Sequence, residues 1–277
     1  MKCFVLGLDG LECDFVEAWN LKNLMQAEYG KIEVPIGSEG VPMSPQVWSS
    51  FLTGRVENIS FPKVPRTYKI LKFLWDNFGF IVKHFNFLRQ RCQRIGREAL
   101  AGRGQLGLDQ ELQNPTFLDA TNSKAINVPF VNHDNSTFKI AYRFAMGELS
   151  LDECLELLRL DYVEHKKAIL RELEEDEVDI VFAFLHHIDS FQHHAFRRQE
   201  IIEEIYEDAN DFVAFLKEKI MSLNPNTCFI IVSDHGFDLI TGMHSTYAFY
   251  STNIPLDPIP QNIIDFHSIL SSIADTK

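Results

Sequence analysis

The residues best equipped for chemistry lie in four widely separated places. Ser233-Asp234-His235-Gly236 closes an apolar run from Phe229 to Val232, and His244 follows nine residues after His235. Asp189 and His193 stand four apart behind a second apolar run, Val178–Leu185. Asp9 follows a third, Cys3–Leu8, and Ser44 opens the segment Ser44-Pro45-Gln46-Val47-Trp48. Carboxylate and imidazole are the usual oxygen and nitrogen ligands of zinc and its first-row neighbours. The Asp189/His193 spacing puts both side chains on one face if a helix begins there. Together these positions supply three carboxylates, three imidazoles and one hydroxyl, enough for two divalent cations beside an alcohol. Taken singly, each has a plainer reading, Asp234 as a helix cap and His235 as a solvated ring. Their joint recurrence behind apolar runs favours chemistry.

Hydrophobic patterning predicts the elements that carry them. Cys3–Leu8, Val178–Leu185 and Phe229–Val232 are continuous apolar runs, the pattern of strands buried on both faces. Shorter strands are predicted over Ile32–Ile36, Ala125–Val131 and Ser245–Tyr250. Helical spacing marks Glu12–Ala27, Asp152–Glu177, Glu200–Ile220 and Ile263–Ile273. Ser44 reads as an N-cap with Pro45 at the first helical position, and Gly54 closes that helix. The alternation predicts an α/β fold: a three-layer sandwich with a mostly parallel central sheet flanked by helices. All four sites then fall at the C-terminal edge of the sheet, where open α/β sheets place ligands. Gly236 permits the sharp turn that lets Asp234 and His235 share one edge.

Composition narrows the setting. The 277 residues carry a net charge of −13, with 45% hydrophobic and 23% charged residues, ordinary globular values. A local excess of eight positive charges between Arg55 and Arg103 leaves about −21 on the rest. An acidic body argues against stable nucleic-acid binding, and the basic stretch is either a site for anions or a solvated face. Residues 55–120 read as a small helical insert or cap within a single domain spanning 1–277. No apolar run approaches the ~20 residues that span a bilayer. Five scattered cysteines without a CxxC pair and an N-terminus that enters a strand directly predict a cytoplasmic chain.

Gly7-Leu8-Asp9-Gly10, the run from Ser44 to Gly54, Asp189 through His193, Ser233-Asp234-His235-Gly236 and the late His244 together resemble the alkaline phosphatase superfamily. The similarity is greatest to its type I phosphodiesterase and nucleotide pyrophosphatase branch. The resemblance spans residues 7 to 244, and residues 55–120 have no counterpart in it. It implies that Asp189, His193 and His244 hold one metal, while Asp9, Asp234 and His235 hold the other with Ser44 bridging toward it. It further implies two zinc ions, with Mn, Fe or Mg as alternatives, and a phosphoseryl intermediate on Ser44. The expected substrate is a small phosphodiester or nucleotide. Candidate substrate contacts are Arg55, Asn58 and Asn127, though Asn58 lies nearer Ser44 than the phosphoryl-contacting Asn of the family. Alternatives are a phosphomonoesterase, a phosphonate hydrolase, a phosphosugar mutase, or a non-catalytic domain that binds a phosphate ligand. Ser44-Pro45 lacks the Cys/Ser-x-Pro-x-Arg pattern of sulfatases. His186 and His187 read as strand-end packing residues, with support of the metal ligands as the second reading.

Overall fold

Three parallel strands form the centre of the molecule, in the order β5-β1-β4: β1 is Cys3–Leu8, β4 Ile180–Leu185 and β5 Cys228–Val232. The computed structural model describes residues 1–37, 40–57, 59, 111–173 and 178–276. Every residue of these three strands is buried, which is why the sequence shows continuous apolar runs and no alternation. Leu8 is level with Leu185, and Gly7 with Val232, so the three chains leave the sheet side by side. On one flank β3 (Ser123–Ile126) adds in parallel to β4. On the other, β8 (Tyr247–Thr252) runs antiparallel to β5, and β2 (Glu28–Glu33) antiparallel to β8. The six-stranded order is β2-β8-β5-β1-β4-β3.

Alternate side chains of the central strands feed two cores. Phe4, Leu6, Val181, Ala183, Phe229 and Ile231 face one layer of helices: α1 (Cys13–Ala18), α2 (Lys22–Met25), α6 (Leu151–Glu172), α7 (His187–Ala195) and α8 (Gln199–Leu223). Cys3, Val5, Phe182, Phe184, Ile230 and Val232 face the other: α3 (Ser44–Thr53), α4 (Phe117–Ala120) and α9 (Asp265–Asp275). This is the three-layer α/β sandwich the patterning predicts. α5 (Ser136–Ala145) packs beside α6 and α7. Under α3, Trp48 meets Phe184 with ring centroids 5.0 Å apart, and Phe51 meets Phe182 at 5.3 Å. Gly7 makes room for this contact, since a Cβ there would lie 3.0 Å from Trp48 and Phe182.

Several boundaries differ from the sequence expectation, each for a local reason. The predicted Glu12–Ala27 helix is two short ones, because Asn20 adopts a left-handed φ of 52°. The second strand lies at Glu28–Glu33 and not Ile32–Ile36, where Pro35 cannot donate to a ladder. β3 stops at Ile126 because Asn127 and Phe130 take φ of 59° and 65°. Helix α5 has no counterpart among the predicted elements, although Asp134-Asn135-Ser136 precedes an amphipathic run. Within the expected 55–120 insert, position 58 and residues 60–110 lie outside the described residues, as do Glu174 to Glu177 of the expected long helix.

Candidate active site

The site stands where the three central strands end. β1 runs into Asp9, β4 into His186 and then the helix α7 that carries Asp189 and His193, and β5 into Asp234 and His235. α7 begins at His187, so Asp189 and His193 lie one turn apart on one face, as their spacing predicts. His244 arrives from the opposite direction. It lies in β7 (Met243–His244), which pairs with β6 (Phe237–Asp238) as a small ribbon folding back over the end of β5.

Ser44 differs from its expected role. Met43, in an extended conformation, is the N-cap, and its carbonyl accepts from the Val47 N–H. Ser44 is the first helical residue and Pro45 the second. Its hydroxyl is therefore not engaged in capping and points toward the cluster, 3.2 Å from His235 Nε2 and 3.5 Å from Asp9 Oδ1. Ser44 is half-buried, whereas Asp9, Asp234 and His235 are fully buried.

The polar atoms fall into two groups that share Asp189. In the outer group, His193 Nε2 lies 3.2 Å and His244 Nε2 3.7 Å from Asp189 Oδ1, and the two nitrogens are 2.9 Å apart. In the inner group, His235 Nε2 is 3.4 Å from Asp9 Oδ1, 3.4 Å from Asp234 Oδ2 and 3.9 Å from Asp189 Oδ1. These separations resemble the edges of a coordination polyhedron with bonds of about 2 Å. The structure thus brings together all seven residues of the predicted ligand and nucleophile set.

Electrostatics make the cluster a demanding one. Burial, followed by the nearby Asp234 and Asp189, pushes the Asp9 carboxyl well above the usual carboxylate range. Burial opposes charge at Asp189 as well, but His193, then His235 and His244, outweigh it and hold that carboxyl well below the usual range. Burial and the neighbouring His235 push His244 down to about 4. Asp189 Oδ1 and Asp234 Oδ2 are buried without a hydrogen-bond partner. Buried polar atoms are normally paired, so converging acceptors of this kind call for a cation. The donor set fits divalent metals of the zinc type, with one His/His/Asp group and one His/Asp/Asp group beside a hydroxyl.

Two supporting residues were assigned to packing by the sequence. His186 Nδ1 lies 2.5 Å from Asp9 Oδ2, so this imidazole fixes a carboxylate of the inner group. His187 Nε2 donates to Asp161 Oδ2 at 2.9 Å, tying the start of α7 to α6. His165 completes an Asp161/His165/His187 cluster, but its Nδ1–H is held by the Asp161 carbonyl. Asp161 Oδ2 also accepts from the Thr137 hydroxyl at 2.9 Å, and His187 Nδ1 is buried without a hydrogen-bond partner.

The substrate candidates are placed differently. Arg55 follows α3 at its far end, about 16 Å of helix from Ser44, next to α9. The structure does not bring it to the cluster. Asn127 ties its loop to the sheet, donating to the Phe184 carbonyl of β4 at 3.3 Å and accepting from the Asp134 N–H at 2.6 Å. Asn58 lies outside the described residues. A cavity of about 330 Å³ opens at the other, N-terminal end of β5, lined by Cys228, Leu256 and Ile269, and is remote from this chemistry. Among the described residues, no helix is long and apolar enough to cross a membrane.

The architecture is that of the alkaline phosphatases. The enzyme from the Antarctic bacterium TAB5 aligns over 99% of this chain and 98% of its own, at 13% identity and a TM-score of 0.55. Murine ectonucleotide pyrophosphatase/phosphodiesterase 5 aligns over 85% of this chain at 12% identity and a TM-score of 0.44, and the chain spans 57% of its length. The PH0037 protein of Pyrococcus horikoshii aligns over 100% of this chain and 98% of its own, at 11% identity and a TM-score of 0.45. No curated protein matches the chain in sequence. The family match over residues 115–256, on this fold, sets the class, a metal-dependent phosphoester hydrolase of the alkaline phosphatase superfamily. Residues 115–256 match the profile of the type I phosphodiesterase / nucleotide pyrophosphatase family, and the chain belongs to it. The matched segment contains Asp189, His193, Asp234, His235 and His244 and begins after Asp9 and Ser44.

Proposed function

We propose that this protein hydrolyses small phosphodiesters or nucleotide pyrophosphate bonds through a phosphoseryl intermediate on Ser44. One observation carries the reading: the Ser44 hydroxyl lies 3.2 Å from His235 Nε2 and 3.5 Å from Asp9 Oδ1, at the edge of a buried group of carboxylates and imidazoles. Asp189, His193 and His244 would hold one divalent ion, zinc in the first instance. Asp9, Asp234 and His235 would hold the second. When bound, the ions supply Lewis acidity, lowering the pKa of a hydroxyl or water and neutralising developing charge. Ser44 attacks phosphorus as the bond to the leaving oxygen breaks, and water then hydrolyses the phosphoserine and frees Ser44. The N-terminus of α3, with its positive dipole end, begins at the nucleophile and favours the phosphoryl group there. His193 is exposed and His244 half-buried, so this side of the cluster faces the incoming substrate. We further propose a cytoplasmic, single-domain chain; the described end of the expected 55–120 insert does not stand apart, since Phe117 of α4 is buried in the core under α3.

The test compares bis-p-nitrophenyl phosphate, p-nitrophenyl phosphate and a thymidine phosphodiester with added Zn, Mn or Mg. Preference for a diester is expected, and preference for the monoester would transfer the protein to the phosphomonoesterase reading. Ser44→Ala is expected to lower kcat by roughly 10³-fold or more while metal stays bound. Unchanged turnover refutes the nucleophile assignment, and a chain that binds no metal refutes the hydrolase.

A further inference from the structure

Glu12 is a fully covered carboxylate just past the first strand, only 2% exposed, and none of the chemistry above uses it. Four donors converge on its two oxygens. The Asp14 N–H reaches Oε1 at 3.1 Å, which makes Glu12 the N-cap of α1. The Tyr247 hydroxyl reaches the same oxygen at 3.0 Å. Phe237 N–H and the Ser245 hydroxyl reach Oε2 at 2.9 and 2.6 Å. A helix cap requires only the first of these. The other three all come from residues 237 to 247, more than 220 positions along the chain.

Those three donors bracket the ribbon that delivers His244. Phe237 is the direct partner of His244 in the β6–β7 ladder, and its ring packs edge-on against His193 at 5.3 Å. Ser245 is the next residue after His244, and its N–H returns to the Gly236 carbonyl at 2.9 Å. Holding Phe237 and Ser245 on one oxygen therefore fixes two of the three residues of the outer group. The same approach explains why glycine follows His235: a Cβ at Gly236 would lie 2.1 Å from Glu12 Oε2.

From this geometry we infer that Glu12 is a positioning residue for the Asp189/His193/His244 metal group, setting its affinity without touching metal or substrate. The inference rests on the two-metal reading proposed above. The charge and the symmetry of a carboxylate both matter. Each oxygen faces a backbone N–H, and an N–H can only donate. Glutamine has the same shape, but either orientation of its amide sets an NH₂ against one of those N–H groups.

The experiment titrates the metal-stripped chain with Co(II), followed by its visible absorption. Two equivalents are expected in the parent chain. In Glu12→Gln one equivalent is expected to bind as before and the other to weaken roughly 10–100-fold, the usual effect of losing a residue that orients a ligand. In a His244→Ala background, adding Glu12→Gln is expected to leave the surviving equivalent unchanged. Equal weakening of both equivalents, or of neither, overturns the inference. A parent chain that binds fewer than two equivalents overturns the two-metal reading before any variant is compared. Should Glu12→Gln fail to fold, Ser245→Ala decides in its place: a smaller loss confined to the same equivalent is expected, and no loss overturns the inference.

Discussion

The imidazoles of His235 and His244 stack with ring centroids 3.6 Å apart and planes 11° from parallel. Each ring places Nδ1 3.0 Å from a backbone carbonyl, His235 on Gly236 and His244 on Pro42. A carbonyl can only accept, so both Nδ1 atoms carry the proton and both Nε2 lone pairs face the cluster. Imidazoles that ligate metals are oriented in this way by their second nitrogen.

The stacked pair divides between the two groups, which makes a separable prediction. His244→Ala should remove one metal equivalent and leave the other, and His235→Ala should do the converse. Both should cut turnover severely. Elemental analysis of the dialysed variants measures the retained metal. Loss of both equivalents in each variant would mean that the groups form one indivisible site.

His186 holds the second oxygen of Asp9. His186→Phe keeps a ring among Phe138, Phe184 and His133 but removes that contact. Metal affinity or turnover should fall by roughly 10–100-fold with the fold intact. His186→Asn, whose amide offers a donor on a short stem, should lie between. Parent-like values in both variants would return His186 to the packing role its sequence position implies.

Much of this centre is legible in the sequence because the parallel strands are buried on both faces, so their ends appear as abrupt transitions from apolar runs to Asp9, His186 and Asp234. Ser44, Asp189 and His193 follow from helix-start and i,i+4 signals. What stays hidden is long-range. Nothing local to Glu12 marks it as the acceptor for residues near 240, and His186 has no sequence partner pointing to Asp9. The antiparallel placement of β8 between β5 and β2 likewise rests on strand pairing, and the half-buried edge pattern of β2 is weak. Gln26 and Asn127, with left-handed φ, break elements that apolar periodicity alone would continue.

The nucleophile helix is held by aromatic packing, and that has a stability consequence. Gly7→Ala forces a methyl to within 3.0 Å of Trp48 and Phe182, rings with little freedom to retreat. A loss of about 1–3 kcal/mol is expected, as for overpacked cores. Trp48→Ala should cost about 3–5 kcal/mol by leaving a cavity. Urea denaturation measures both. Because α3 carries Ser44, Gly7→Ala should also lower kcat more than it raises KM; a purely stabilising role for this contact would leave both constants unchanged at a temperature where the variant is folded.

The pH dependence of stability has a clear sign at His187. Burial pushes this imidazole down to about 4, against about 6.5 in an unfolded chain. A base with a depressed folded pKa is protonated first in the unfolded state, so its contribution is complete above pH 6.5 and is lost as pH falls toward 4. Between pH 7 and pH 5 the loss from this one group is about 2 kcal/mol. Its partner acts lower on the scale. Burial opposes the charge of Asp161, but the hydrogen bond from His187 prevails and holds that carboxyl below its ordinary range, with the Thr137 hydroxyl donating to the same oxygen, so its contribution disappears only at more acid pH. Urea titrations of the metal-stripped chain at pH 7, 6 and 5 should show the decline, and His187→Gln should flatten it while lowering stability at pH 7. An equally steep decline in the variant would assign the acid sensitivity to other buried histidines, His133 first among them, whose imidazole burial pushes down to about 3.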